Sequence, residues 1–455
     1  MPTKNPKSKL RQHAIFLILL LSVGLLWSWL FLIDVARLST APSAKLATYI
    51  TITLVYLIIV VVSAGVFTLA CKYLRREAKT PHWYTPLKIF VIWAFVEALV
   101  AWLVAIIWIG RNGSLNNILP FGSLTPLLMW TPLGYLARFV GFYGLSGLVV
   151  ACLACLVIKS LRRYATYYIA GLFALSGLAW GVYKTATGPT VKVTIVAEQL
   201  GTRKIVEAEG STLVVLPEYG LDEVDNLKGR VQTRGNEAYA IGSKQTPTQN
   251  GISNNLILAS TDKGFMISQS KTRLIPGGEY LSFPVEVILR TVNKDTYTDF
   301  EVRRAIAKGD ASIRPFSISD KLIVGSEACS SIINPNDYRQ QTKQGATLLT
   351  NSASLEIFKG SRLFNIQHRG LAKFMAIANA RPFLQSSNNW PAFALDHNGR
   401  QLAEIQPTGS AQVDVNTNRT RTVYSYLGEW VAYVGAVWLT IDLTSTWHRR
   451  PRKHK

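Results

Sequence analysis

Charge is scarce in this sequence: Asp, Glu, Lys and Arg make up 17% of the 455 residues, and only 27 are acidic. An ordinary soluble chain carries about 25% charged residues, so a wholly soluble enzyme does not account for it. Histidine is rare too. His13, His82, His448 and His454 lie in terminal or loop basic clusters, while His368 and His397 have no paired ligand at useful spacing, which excludes a histidine metal site. Cysteine is limited to Cys71, Cys152, Cys155 and Cys329. There is neither an internal repeat nor a low-complexity stretch. What the chain has instead is apolar length, with 49% hydrophobic residues, a mean hydropathy of +0.18 and a net charge of +22.

The first 185 residues hold the long uncharged runs. Ala14 to Ile33 gives twenty residues without a charge and Ala47 to Cys71 gives twenty-five. Each is long enough to cross a hydrocarbon core of about 30 Å as a helix. Ile89 to Gly110 is a third run, broken only by Glu97, and Phe139 to Ile158 and Ala165 to Tyr183 are a fourth and fifth. Trp430 to Leu443 is shorter and is expected to cross with help from flanking Tyr and Trp. Asn116 to Pro132 carries Pro120, Gly122, Pro126 and Pro132 and reads as a re-entrant or interfacial loop, lining an entrance or tightly packed between helices. Lys4, Lys7, Lys9 and Arg11 precede the first run as in a signal peptide, but its length and the four spans after it favour a retained helix. Glu97 is costly inside a span, and a structural pairing with Arg138 is the expected outcome.

Basic residues orient the spans. With the amino terminus in the cytoplasm, inner loops and tail carry 17 Lys and Arg and outer loops carry 4. Lys184 to Ser425 then lies outside the cytoplasm with 28 basic and 22 acidic residues, about +6 of the total, so the charge is a topology signal and not a nucleic-acid signature. No nucleic-acid partner and no cofactor are expected.

Hydrophobic periodicity changes at Gly188. Val191 to Val196 alternates as a strand, and Ser211 to Leu216 is a buried-strand run ending at Pro217. Further strands are expected at Asn255 to Ala259, Leu322 to Gly325, Thr347 to Thr350, Phe383 to Gln385 and Ala392 to Leu395, with a helix over Phe364 to Ala380. This alternation predicts a layered α/β domain. The Gly242 to Asn255 stretch is polar enough for a mobile loop. The expected organisation is a membrane domain over 1–186, an extracytoplasmic α/β domain over 187–425, and a final helix with a basic tail over 426–455.

Cys152-Leu-Ala-Cys155 has redox spacing but falls inside a span, where small apolar cysteines are packing residues. Cys329 stands outside the membrane beyond a strand, either a nucleophile or a buried structural cysteine. Glu218, at the mouth of Val214-Val-Leu-Pro-Glu-Tyr219, reads singly as a cap. Lys271, before Pro276-Gly-Gly278 and Glu279, reads singly as a solvated charge. Together they run Glu, Lys, Cys, each at a strand exit, spaced by 53 and 58 residues.

That ordered set resembles the nitrilase (carbon–nitrogen hydrolase) superfamily. The resemblance implies an αββα sandwich carrying a Glu218–Lys271–Cys329 triad. The spans narrow it to the apolipoprotein N-acyltransferase branch, as do Arg138-Phe-Val-Gly-Phe-Tyr-Gly-Leu-Ser146, the stretch from Gln367 to Asn389, and Thr422-Val-Tyr-Ser-Tyr-Leu-Gly-Glu-Trp430. The likeness runs from about residue 115 to 443. It implies a multi-pass protein of the bacterial inner membrane with its catalytic domain on the periplasmic side. Its substrates would be a phospholipid acyl donor and a diacylglyceryl-modified lipoprotein acceptor, and membrane lipids would surround it. Glu218 would serve as base, Lys271 as oxyanion partner and Cys329 as the thioester-forming nucleophile, with Glu279 orienting Lys271.

Departures mark a divergent member. The family's Cys-Tyr-Glu is replaced by Cys329-Ser-Ser331, leaving Glu327 as the substitute carboxylate if strand twist permits. Asn351-Ser-Ala-Ser-Leu355 lacks the family's aromatic, and the stretch from the first strand to Glu218 is short for a full helix. A membrane-tethered amidase, in which water replaces the acceptor amine, and a catalytically weakened lipoprotein-binding protein are the alternatives.

Overall fold

The structure is a computed structural model that describes residues 81–448 except 108, 112–122, 223–226, 234–236, 249–250, 277, 293, 304, 310–313 and 359, together with scattered positions between 57 and 74. The expected span Ala14 to Ile33 lies outside the described residues, as does Ala47 to Cys71 apart from those scattered positions. The next three runs form helices: α1 (Thr85–Ile107), α2 (Ala137–Val157) and α3 (Arg162–Val182). Among the described residues three segments are long and apolar enough to cross a membrane, Thr85–Ile106, Pro132–Val157 and Lys159–Val182. Their uncharged surfaces have no aqueous role, and burial in lipid or against one another satisfies them.

The α/β domain begins at Thr190. Its strands are β1 (Thr190–Glu198), β2 (Leu213–Val215), β3 (Tyr239–Thr248), β4 (Gly251–Ser260), β5 (Gly264–Ser270), β6 (Ile323–Ala328), β7 (Leu348–Ser354), β8 (Phe383–Asn388), β9 (Ala392–Leu395), β10 (Gln401–Ile405) and β11 (Gly409–Asn416). They join one sheet in the spatial order β5, β4, β3, β2, β1, β8, β7, β6. The middle of that path is parallel, with β3, β2, β1, β8, β7 and β6 all aligned, whereas β4 and β5 extend it as antiparallel hairpins. A parallel arrangement brings the carboxyl ends of these strands to one edge.

Side-chain alternation divides the sheet's two faces. Val193 and Ile195 of β1 share an inner cluster with Leu213, Val215, Leu258, Val324, Leu348 and Leu384, so the two wings of the sheet close over a common core. On the outer faces, Val196, Val214 and Leu216 join a second cluster. Leu349 and Phe383 join a third, which continues without a break into α1 and α2. The α/β domain and the membrane-length helices therefore share a hydrophobic core.

The helices of the domain are α4 (Phe283–Val292), α5 (Lys294–Arg303), α6 (Pro335–Lys343) and α7 (Arg362–Asn379). Residues 199–212 form no helix and contribute only Val206–Glu207, paired with Val231–Gln232. The polar Gly242 to Asn255 stretch corrects the loop expectation. It lies in the β3–β4 hairpin, paired from Tyr239–Ser260 down to Thr248–Gly251, and the ladder satisfies the backbone that the side-chain pattern left unassigned. Of the Asn116 to Pro132 segment, the described part packs tightly. Thr125 Oγ1 donates to the Phe142 carbonyl at 2.5 Å, and Ser123 and Ser146 hydroxyls are 2.8 Å apart.

The last run becomes α8 (Trp430–His448), lying antiparallel to α1, with Lys88 and Tyr73 both bonded to Asp442. Glu429, just before it, organises the neighbouring helix. At Gly141 (φ +76) α2 breaks, in a conformation open to glycine but strained for other residues. The Glu429 carboxylate accepts the N–H groups of Phe142 (3.0 Å) and Tyr143 (3.1 Å), the donors left free where the helix restarts. Arg138 does not pair with Glu97. Its guanidinium donates to the carbonyls of Ile377 (3.2 Å), Ala179 (2.9 Å) and His397 (3.1 Å) and to Asn398 Oδ1 (2.6 Å), pinning α2 and α3 to the α/β domain. Glu97 instead accepts from Trp93 Nε1 at 3.1 Å, one helical turn away. Cys152 and Cys155 are free thiols, Cys155 fully buried.

Candidate active site

Three strand exits converge at the carboxyl edge of the sheet, and each carries a residue in the left-handed region: Tyr219 (φ 64) after β2, Cys329 (φ 43) after β6, and Asn389 (φ 53) after β8. Non-glycine residues rarely adopt this conformation, and its concentration at one site marks backbone turned sharply to aim side chains. Cys329 opens a short helical turn, Cys329–Ile333, directly from β6. Glu218 lies one residue before the strained Tyr219, and its N–H reaches the Ala353 carbonyl of β7 at 3.3 Å. Lys271 follows β5, its N–H donating to the Asn254 carbonyl at 2.7 Å.

Tertiary structure brings Glu218, Lys271, Glu279 and Cys329 together. The Lys271 ammonium is fully buried and donates to Glu218 Oε1 at 3.1 Å and to Glu279 Oε1 at 2.5 Å. Glu279 Oε2 accepts the Ile275 N–H at 2.8 Å, which fixes that carboxylate across the turn. The Cys329 thiol lies in hydrogen-bonding reach of the Glu218 carboxylate and at 3.4 Å from the Ser354 carbonyl.

Electrostatics follow from this burial. Loss of water pushes the Glu218 carboxyl up, while the Lys271 charge opposes that rise. Burial alone would depress Lys271, but Glu218 and Glu279 hold its ammonium well above the ordinary range. The Cys329 thiol is pushed well up by burial and then by the Glu218 charge, with Lys271 pulling the other way. The resting site is thus a neutral thiol beside a carboxylate whose proton affinity is raised, with a permanent cation next to both. A carboxylate, a thiol and an ammonium group thus share one buried cluster, the set of groups that covalent acyl chemistry uses.

Glu327 points elsewhere. Its Oε1 accepts from Gln341 Nε2 of α6 at 2.6 Å, and the carboxyl lies beside Ser331 and the Arg273–Asp337 pair. A carboxyl therefore stands behind the nucleophile turn, held by α6, and its partner is not Lys271.

Several site residues escaped the sequence reading. Asn254 Nδ2 donates to Glu218 Oε1 at 2.8 Å, sharing that oxygen with Lys271. Asn388 Nδ2 donates to the Glu218 carbonyl at 2.5 Å. Asn351 Nδ2 donates to the carbonyls of Glu327 and Cys329, each at 3.2 Å, and so braces the turn. Asn388 ends β8 and reads alone as a loop residue, while Asn254 and Asn351 lie within β4 and β7, where the sequence offered no signal for them. A cavity of about 320 Å³ opens beside Glu218, lined by Glu198, Arg203, Tyr219, Asp222, Gln245 and Asn388. No cluster of three or more potential metal ligands occurs among the described residues.

Residues 202–423 match the carbon-nitrogen hydrolase family model. An apolipoprotein N-acyltransferase from Vibrio vulnificus is 25% identical over 184 residues, covering 40% of this chain and 34% of that protein. Apolipoprotein N-acyltransferase 1 from Treponema denticola is 28% identical over 106 residues, covering 22% of this chain and 19% of that one. The match thus spans about a third, or less, of the length of these curated relatives. Among solved structures, a carbon–nitrogen hydrolase from Helicobacter pylori aligns with 58% of this chain and 99% of its own at 14% identity and a TM-score of 0.35. An amidase from a Nesterenkonia species aligns with 51% of this chain and 93% of its own at 14% identity and a TM-score of 0.35. Residues 202–423, which include Glu218, Lys271 and Cys329, form a carbon–nitrogen hydrolase domain, in a chain that also carries three helices long and apolar enough to cross a membrane among its described residues.

Proposed function

We propose that this protein is a phospholipid-dependent N-acyltransferase that acylates the α-amino group of diacylglyceryl-cysteine on lipoproteins. The observation that carries this reading is the Lys271 ammonium clamped between Glu218 and Glu279 beside the Cys329 thiol, in a domain that shares its core with membrane helices. Both substrates are held in a membrane by acyl chains, so a site built onto spans meets them where they reside. The curated relatives bear the same activity in their names.

In the first half-reaction Glu218 takes the proton from Cys329 Sγ as the thiolate attacks the ester carbonyl of a phospholipid. The ammonium of Lys271 stabilises the oxyanion of the tetrahedral intermediate. Its collapse breaks the carbon–oxygen bond, and the departing glycerol oxygen takes the proton from Glu218, leaving a thioester on Cys329. In the second half the acceptor α-amine attacks that thioester, Glu218 accepts its proton, and the thiolate leaves and recovers the proton. Glu279 orients Lys271 throughout. The polar cavity beside Glu218 receives the hydrophilic end of the acceptor. The excess of Lys and Arg around the apolar runs supports a domain on the periplasmic face of the bacterial inner membrane.

Purified protein in bilayers, given a radiolabelled phospholipid and no acceptor, accumulates a hydroxylamine-sensitive label on Cys329. Adding a diacylglyceryl-cysteine peptide then discharges the label to its amine. Absence of a thioester on folded protein overturns the reading. Discharge to water at an equal rate with and without peptide favours the tethered amidase.

A further inference from the structure

Helix α4 turns apolar side chains outward as well as inward, where Val285 and Leu289 are half-buried. Its buried position is Glu286, 7% exposed, while Phe283, Val287 and Ile288 are 47%, 63% and 50% exposed. At about 100° per residue these three apolar side chains occupy an arc of roughly 140°, with Glu286 on the other side of the helix. A helix on the surface of a water-soluble domain carries polar residues on such an outer arc. An apolar outer arc is stable where a second apolar medium covers it.

The position of α4 names that medium. Phe283 N–H donates to the Ile109 carbonyl at 2.8 Å, and Ile109 lies just beyond the end of α1. Arg111 then pairs with the inward Glu286 at 2.9 Å. Between them, Gly110 approaches so closely that a Cβ there would stand 2.1 Å from the Leu281 carbonyl oxygen. The first turn of α4 is therefore fastened to the point where α1 leaves its membrane-length apolar stretch. Half-exposed Arg290 on α4 adds a cation at the same level.

We propose that α4 is an interfacial helix that seats Phe283, Val287 and Ile288 in the headgroup–acyl boundary of the bilayer on the side where α1 ends. The occupant of its outer face is the lipid surface. Glu279 lies four residues before Phe283, with Tyr280 and Leu281 buried between them. Anchoring α4 thus sets the Lys271–Glu279 loop at the depth of the lipid esters. The inference rests on α1 crossing the membrane, and it does not require the proposed acyl transfer.

The test uses the full chain in phosphatidylethanolamine–phosphatidylglycerol nanodiscs, with Cys71, Cys152, Cys155 and Cys329 replaced by Ala. Nitroxides are attached in turn at Phe283→Cys, Val287→Cys and Ile288→Cys. Collisional relaxation by oxygen exceeding that by a water-soluble nickel chelate at all three positions is the expected result. Greater access to the nickel chelate overturns the proposal, as does dipolar broadening between copies, which would mean a protein partner. A second measurement needs no substitution. A diazirine-bearing phospholipid should photolabel the tryptic peptide Leu274 to Arg290 of the native chain, and an unlabelled peptide overturns the proposal even if the cysteine variants fail to fold.

Discussion

Half-buried Arg273 and buried Asp337 form a two-pronged ion pair, with Nε to Oδ2 at 2.6 Å and Nη2 to Oδ1 at 2.9 Å, which joins the loop carrying Lys271 to the helix that follows Cys329. Ser330 Oγ strengthens the same junction by donating to the Arg273 carbonyl at 3.0 Å. Lys271 and Cys329 thus keep their spacing through a connection that neither makes directly.

Breaking that pair should damage stability and rate together. Removing one partner of a buried ion pair costs about 3–5 kcal/mol, because the remaining charge is left without compensation. Asp337→Asn is expected to lower the thermal midpoint and to slow thioester formation. Replacing both, as Arg273→Met with Asp337→Leu, should restore much of the midpoint but not the rate. Differential scanning fluorimetry and acyl-enzyme labelling read the two quantities separately.

The triad itself gives the sharpest kinetic prediction. Cys329→Ala should abolish the thioester, and Glu218→Gln should slow its formation by roughly 10²–10⁴-fold, the usual contribution of a positioned general base. Lys271→Met should lose both rate and stability, since it leaves Glu218 and Glu279 buried against each other. Single-turnover labelling with phospholipid measures the rates, and a Lys271→Met variant that kept wild-type turnover would remove Lys271 from the mechanism.

Alkylation of Cys329 should report its raised thiol. Burial and the Glu218 charge hold the proton on sulfur, so the thiolate fraction near neutrality is small. The iodoacetamide reaction rate should keep climbing as pH rises past about 8.5, the ordinary cysteine value. A rate that levels off below that pH would show a free thiolate in the resting enzyme.

Glu327 carries a pH-dependent stability term with a definite sign. Burial, and then the charge of Asp337, hold its carboxyl well above the ordinary range. The folded state therefore binds this proton more tightly than the unfolded one. Its contribution is fully present below about pH 4.3, the unfolded value, and is lost as pH rises through the raised folded value. Glu327→Gln keeps a partner for Gln341 and should flatten the decline of thermal midpoint with rising pH. An unchanged slope would mean that Glu327 ionises normally.

At the junction with the membrane, Glu429→Ala should uncover the N–H groups of Phe142 and Tyr143 where α2 restarts. Each unsatisfied buried donor costs about 1–3 kcal/mol, so a clear fall in thermal midpoint is expected, with Glu429→Gln intermediate because its carbonyl still accepts.

How much could be read beforehand depended on the range of the interactions. The sequence by itself determined the membrane runs later seen as α1, α2 and α3, because uncharged length is a local property that solvent alone enforces. It also placed Glu218 and Cys329 just beyond the strand runs Ser211 to Leu216 and Leu322 to Gly325, since a short apolar run ending in a turn is visible within a few residues, whereas β5 before Lys271 was not among the expected strands. Only the tertiary structure decided what met there: Asn254 on Glu218, Arg273 on Asp337, and Gln341 rather than Lys271 on Glu327. The same holds for Arg138, which passes over Glu97 for carbonyls of α3, α7 and the loop after β9, and for the β3–β4 hairpin, whose polar side chains hid a backbone ladder. The physical reason is common to all of these. A buried polar group must find a partner, and which partner it finds is set by the elements packed beside it, for these side chains from 14 to 259 residues away in the chain.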